Sequence, residues 1–208
     1  MIRPHRLRAA AVVACALALS GCVSLLPKGK PVDLYRFGLP ASADAPQAPA
    51  GQVGVLRTNA VFQRESAGDR LLTLTNGKAA YIAETRWVAP AAVLWDQALV
   101  AAFDADPGHV RLVSRGEPAS AAYILRLDVR NFETHYDQGE KAAPLVVVRA
   151  RGAIMTGTGG GVVAERIFEA RIRAADNRVS AIVPAYDKAV GEVLSEIVAW
   201  TGENAKAS

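Results

Sequence analysis

Tyr123-Ile-Leu-Arg-Leu-Asp-Val-Arg-Asn-Phe132 alternates. Tyr123, Leu125, Leu127 and Val129 fall on one side of an extended chain, and Arg126, Asp128 and Arg130 on the other. Successive side chains of a strand point to opposite faces, so this segment predicts a strand with one buried and one wet face. The pattern continues downstream. Residues 143–155 and 161–173 are two β-prone arms around Thr156-Gly-Thr-Gly-Gly-Gly161. In the second arm Phe168, Ala170 and Ile172 oppose Glu169, Arg171 and Arg173. A sheet with one solvated face is antiparallel and takes its cover on the other face.

Two helical segments can supply that cover. Over residues 182–200, Ile182, Tyr186, Ala189, Val190, Val193, Leu194 and Ile197 make one stripe, with Asp187, Lys188, Glu192 and Glu196 mainly opposite. Gly202 is expected to stop this helix, and the tail from Glu203 to fray, with 204–208 disordered. Residues 90–103 open on Pro90, which suits a first helical turn because its missing N–H is not needed there. Leu94, Trp95, Ala98, Leu99 and Ala102 form the stripe, and Asp104-Ala-Asp-Pro-Gly108 ends it.

Upstream the signals are shorter. Residues 53–57 and 110–113 read as strands. Residues 71–75 and 79–84 flank Asn76-Gly77, a strong hairpin signal because both turn positions need positive φ. Residues 57–70 are polar and loop-like. Residues 32–38 have strand character. Pro40 to Gly51 is an Ala/Pro-rich loop without periodicity, expected to be mobile or extended. No repeat is visible. The predicted fold is α+β: one domain over 32–203, a mixed or antiparallel β-sheet with two main helices packed on one face.

The first residues carry a different message. Arg3, Arg6 and Arg8 form a positive leader, and the 11 residues 9–19 are unbroken apolar chain. Spanning a bilayer takes about 20 residues, so this run has the length of a signal-peptide core instead. It ends in Leu19-Ser20-Gly21-Cys22, which resembles the bacterial lipobox. Cleavage between Gly21 and Cys22 and acylation of the Cys22 thiol are the expectation. Residues 1–21 are then the signal peptide and 22–31 the lipidated tether. Cys15 is discarded, so the mature chain keeps one cysteine and no disulfide partner. A single acyl chain anchors only marginally, but several chains on one cysteine anchor firmly. Val23, where an aspartate would favour inner-membrane retention, points to the inner leaflet of the outer membrane, facing the periplasm.

Removing 21 of 208 residues leaves 187, and the loss of three arginines lowers the net charge from +4 to +1. The basic balance of the precursor is therefore a targeting feature, not nucleic-acid affinity. Catalytic signatures are equally thin. His109 and His135 stand alone near loop ends and read as solvated, no His/Cys/Asp/Glu set has metal-ligand spacing, and no Gly-x-Ser-x-Gly elbow occurs. Gly157–Gly161 is followed by a β-prone arm, whereas a phosphate loop must open a helix. We therefore expect no catalytic residue, no metal, no cofactor and no enzyme. Tyr35, Phe37 and Trp87 are the candidate partner or lipid contacts. Packing is the competing reading for each of them, and Trp87 is the foremost candidate because it sits where hairpin passes to helix.

Asn76-Gly77, Ala80-Tyr81 and Arg86-Trp87-Val-Ala-Pro90 opening a helix that ends at Phe103 resemble the ABC-type transport auxiliary lipoprotein family, which includes the PqiC-like outer-membrane lipoproteins. Tyr35-Arg-Phe37, Ala122–Phe132, Glu165–Ala170 and the closing helix to Trp200 fit the same pattern. The resemblance implies an α+β domain that accompanies an MCE-type ABC transporter. Its partners would be an MCE-domain protein and the permease and ATPase. It implies docking at the outer membrane and passage of phospholipid or another hydrophobic substrate; ring-like self-association occurs among relatives. A lipid-binding carrier and a structural envelope-assembly lipoprotein are the alternatives.

Overall fold

A computed structural model describes residues 31–38, 52–117, 120–157 and 160–206. The signal peptide, Gly21, Cys22, the tether as far as Lys30, and the 40–51 loop lie outside the described residues. Chain contacts set residues Met1–Pro31 apart from a second unit, Val32–Ser208, and the description below is of that second unit.

Its elements are β1 (Asp33–Tyr35), β2 (Val53–Arg57), β3 (Val61–Phe62), α1 (Arg64–Ala67), β4 (Leu72–Thr75), β5 (Lys78–Tyr81), β6 (Thr85–Trp87), α2 (Ala91–Asp104), β7 (Val110–Val113), β8 (Tyr123–His135), β9 (Leu145–Thr156), β10 (Val162–Arg173) and α3 (Val179–Asn204). The class is α+β with a sheet that mixes parallel and antiparallel pairs. Its main order is β10-β9-β8-β2-β7.

The strand quoted first is the spine. β8 pairs antiparallel with β9 from Tyr123↔Thr156 to His135↔Leu145, and β9 pairs antiparallel with β10. The register shifts between Val129 and Asn131. This bulge inserts one residue and resets which side chains face inward. Leu125, Leu127 and Val129 are buried before it, and Phe132 and Thr134 after it. The other edge of β8 takes three short parallel strands in turn: β2 beside Tyr123, β3 beside Asp128 and β4 beside Thr134. The polar 57–70 stretch, read as loop, thus contributes β3 and the single turn α1. β4 and β5 form the expected hairpin, with Asn76 at φ 50° and Gly77 at φ 77°. β1 and β6 make a separate two-stranded parallel sheet.

Both longer helices cover the same side. α3 lies on β9 and β10, and α2 packs on β7 and α3. α3 carries Pro184 in its second turn, where one backbone bond is lost; the buried neighbours Val183, Ala185 and Tyr186 offset that loss. Glycine at 152 lets α3 come close. A Cβ there would stand 3.0 Å from Phe168 Cε2 and 3.1 Å from Trp200 Cζ3. Trp200 and Phe168 meet edge to face at 5.3 Å across that gap.

The C-terminus departs from expectation. α3 passes through Gly202 to Asn204, and Ala205 is buried, so the body does not fray from Glu203. Tertiary bonds hold the last turn. His109 Nε2 lies 3.1 Å from the Ala205 carbonyl oxygen, the Tyr123 hydroxyl donates to the Lys206 carbonyl at 3.1 Å, and the Ala205 N–H bonds the Thr201 carbonyl. These partners satisfy carbonyls that a helix end otherwise leaves open, and they outweigh glycine's weak helix propensity.

Candidate functional site

Two of the three flagged aromatics form a plug. Phe37 meets Trp87 edge to face at 5.0 Å and Phe132 at 5.1 Å. Trp87 meets Tyr186 at 5.2 Å, and Phe132 meets Tyr186 at 4.9 Å. Phe37 is 1% exposed and Trp87 2%. Both are therefore core residues with no surface to offer a partner or a lipid in this conformation. Packing, the competing reading, describes them; Tyr35 is half-buried at the rim. Burying these rings is worth roughly 1.5–3 kcal/mol each, and it pins the small β1–β6 sheet to the main body. Within the plug, the Thr134 hydroxyl donates to the Tyr186 phenol oxygen at 3.1 Å. Burial pushes the Tyr186 phenol well above its ordinary pKa, and the Thr134 hydrogen bond opposes that shift only in part.

What alternation buries on one side it exposes on the other. With Trp87 inward, Arg86 and Val88 point out; with Tyr35 and Phe37 inward, Leu34 and Arg36 point out. This outer face is the feature that attention to single aromatics misses. Its sequence signal was present, as the period-2 partner of each buried ring.

A second feature is an apolar groove of about 490 Å³ between α2 and α3, lined by Ala98, Ala102, Val190, Gly191, Leu194 and Val198. Small side chains keep it open. Asp187 stands at one end and accepts the Gly38 N–H at 2.8 Å; Asp106 stands at the other.

The helix-free face of the sheet is charged with both signs. Arg151 pairs with Glu165 at 2.6 Å, Arg149 with Glu169 at 3.4 Å and Arg130 with Asp128 at 3.0 Å. Arg173 clamps Asp137 at 2.5 Å, and its hydrogen bond holds that carboxyl well below the usual range, at about 2. Exposed pairs of this kind add little net stability. They also dress β10, whose outer edge takes no strand among the described residues, with charges that discourage strand addition.

The chemistry-bearing side chains are engaged in structure. His109 caps α3. His135 Nε2 lies 2.9 Å from Glu133 Oε1, which also accepts from the Asn131 amide at 2.7 Å. His109 is exposed in the bend before β7, as its sequence position implies, while His135 is half-buried at the end of β8 and is not a solvated loop residue. Among the described residues, no group of three or more His, Cys, Asp or Glu is placed to hold a metal. Among the same residues, no helix is long and apolar enough to cross a membrane. The glycine-rich turn leads from β9 into β10, not into a helix. The described residues form a packed α+β body with exposed aliphatics, an apolar groove and a charge-paired sheet face.

Comparison with known proteins agrees. Residues 38–198 match the family described as ABC-type transport auxiliary lipoprotein component. Protein XCC0632 from Xanthomonas campestris, of the family DUF330, superposes with a TM-score of 0.68 at 24% identity over 83% of this chain and 96% of its own. An uncharacterized protein superposes with a TM-score of 0.60 at 14% identity over 82% of this chain and 99% of its own. The hypothetical protein CT253 from Chlamydia trachomatis gives a TM-score of 0.51 at 12% identity over 76% of this chain and 99% of its own. At these identities the three structures speak for the fold alone. A search of curated proteins returns no match.

Proposed function

Because this chain belongs to the ABC-type transport auxiliary lipoprotein family, we propose that it serves as the membrane-anchored docking component of an MCE-type ABC transporter that moves phospholipid or another hydrophobic substrate across the envelope. The family is an auxiliary component and not a catalytic one. The observation that carries the reading is the span of the match: it runs from Gly38, just after β1, through most of α3, so nearly all of the packed body is the family's body. Its surfaces fit a docking role. The sheet face is a lattice of compensated charges, and the large aromatics are spent on packing.

The finer parts of the reading come from the sequence. The Leu19-Ser20-Gly21-Cys22 tetrapeptide supports acylation at Cys22, and Val23 supports the inner leaflet of the outer membrane. The MCE-domain protein, the permease and ATPase, and self-association belong to the same proposal. Affinity isolation of the native protein from detergent-solubilised envelopes tests it. Recovery of an MCE-domain subunit with a permease and ATPase is the expected result. Recovery of envelope-assembly factors without any transporter subunit contradicts it.

One observation favours a second reading. The α2–α3 groove falls within the ~300–1,000 Å³ range of small-molecule sites and is lined by apolar carbon. A carrier that binds a lipid chain itself would use it. Native mass spectrometry of the purified protein separates the two: a retained phospholipid marks a carrier, and an empty protein a docking component.

A further inference from the structure

Eight large apolar side chains stand well exposed among the described residues, and four of them share one surface: Val32 at 44%, Leu34 at 61%, Val88 at 49% and Val93 at 44%. The geometry that groups them is explicit. β1 turns Tyr35 and Phe37 inward, so Val32, Leu34 and Arg36 come out. β6 turns Thr85 and Trp87 inward, so Arg86 and Val88 come out on the same side. Leu34 sits beside Arg86 in the parallel register, and the Val88 N–H donates to the Tyr35 carbonyl at 2.8 Å. Arg36 Nη2 then donates to Gln97 Oε1 at 3.0 Å. That bond draws up the outer side of α2, where Val93 lies one turn before Gln97. The buried Phe37–Trp87 pair holds the surface rigid from behind.

Soluble surfaces scatter their exposed aliphatics singly, and a cluster of four marks a contact; at its rim Arg36 bonds a neutral amide, while Arg86 is paired with Asp69 at 2.8 Å. The position of the cluster says with what. The surface begins at the first described residues after the tether. Val32 lies ten positions after Cys22, a reach of at most ~36 Å when fully extended. Arg36 bonds the neutral amide of Gln97, so its guanidinium keeps its charge for a lipid phosphate beside the exposed carboxylate of Asp33, and Lys28 and Lys30 precede it in the sequence. Acyl anchoring holds the body at high local concentration over the bilayer, which lets a contact too weak for free protein become populated.

The geometry points to this surface as a lipid-contacting foot: Val32, Leu34, Val88 and Val93 enter the headgroup boundary of the leaflet that holds Cys22, while Arg36 meets lipid phosphate. This rests on the lipid-anchor reading above. Interfacial binding of this kind draws on buried apolar area together with attraction to anionic headgroups. It fixes an orientation. β8 runs from Phe132, behind the foot, to Tyr123, a distance of about 30 Å at ~3.3 Å per residue. The Tyr123 end of β8, with Thr156 of β9 and Val162 of β10, then faces away from the bilayer, toward the periplasm.

The test uses the full mature protein, whose Cys22 is blocked by acylation and so leaves an introduced thiol free for labelling. Leu34→Cys, Val88→Cys and Val93→Cys carry a nitroxide. Val163→Cys and Ile167→Cys on β10 are the comparators, being exposed aliphatics outside the foot. In vesicles of phosphatidylethanolamine with a minority of phosphatidylglycerol, the three foot labels are expected to gain oxygen collisions and lose collisions with an aqueous nickel chelate, several-fold relative to both comparators. Equal exposure at all five positions overturns the foot. Shielding that follows protein concentration without vesicles also overturns it and assigns the surface to a second copy of this chain. The intact mass of the same sample keeps the two readings apart. An acylated protein with water-exposed labels removes the foot alone, whereas a mass without acyl chains removes the anchor and the foot together.

Discussion

The two edges of β8 are built in opposite ways. On one edge a hairpin of two 12-residue strands pairs along its whole length and carries α3 across its back. On the other, the N-terminal half of the chain contributes β2, β3 and β4 as short parallel pieces laid end to end. The first edge holds itself by local pairing. The second is held by side chains: Phe37, Trp87, Phe132 and Tyr186 lock the β1–β6 pair and the body together. Long strands tolerate a lost side chain better than fragments do, because their ladder of backbone bonds remains.

Trp87→Ala is therefore expected to have the largest effect, a loss of about 3–5 kcal/mol. Urea unfolding measures it, and hydrogen exchange should show β1 and β6 opening first. A loss below ~1 kcal/mol would mean that the fragment edge does not depend on its plug. Gly152→Val probes the hairpin edge. The added carbons meet Phe168 and Trp200, and the expected cost of overpacking is about 1–3 kcal/mol, read from the same unfolding curves.

Tyr186→Phe removes one hydrogen bond while keeping the ring, at an expected cost of about 0.5–1.5 kcal/mol. The substitution also changes the alkaline limit. Burial holds the folded-state pKa of Tyr186 above the ordinary phenol value of 10.0, so its contribution is complete below pH 10 and is lost as pH rises through the folded value. The Phe variant should show a shallower alkaline fall in stability.

The smallest effect is expected from Asp137→Asn. Its carboxyl titrates at about 2 in the folded protein against 3.8 for the free group. The stabilisation is therefore present above pH 3.8 and is lost as pH falls toward 2. Because the pair is exposed, the variant should lose only a little stability at neutral pH, and that difference should vanish as pH falls toward 2, which flattens the acid limb.

The same contrast explains what the sequence could say. β10 and the first part of β8 alternate, β9 is a β-prone run beside them, and α2 and α3 carry long stripes, so all are readable locally. The Asn76-Gly77 turn is equally plain. β3 is two residues long, and its pairing with β8 depends on a spine more than 60 residues downstream, which no local pattern encodes. The bulge after Val129 and the continuation of α3 through Gly202 come from tertiary contacts, with His109 and Tyr123 reaching in from distant segments. The candidate contacts divide in the same way. Residue type drew attention to Phe37 and Trp87, and burial turned them into core. Their unremarkable neighbours Leu34 and Val88 took the surface.

The account depends on a body suspended from one acylated cysteine. Intact-mass measurement of the native protein extracted from membranes examines this directly. A polypeptide that starts at Cys22 and carries the added mass of fatty acyl chains is the result expected. A chain still bearing residues 1–21, or one with an unmodified Cys22, would contradict it.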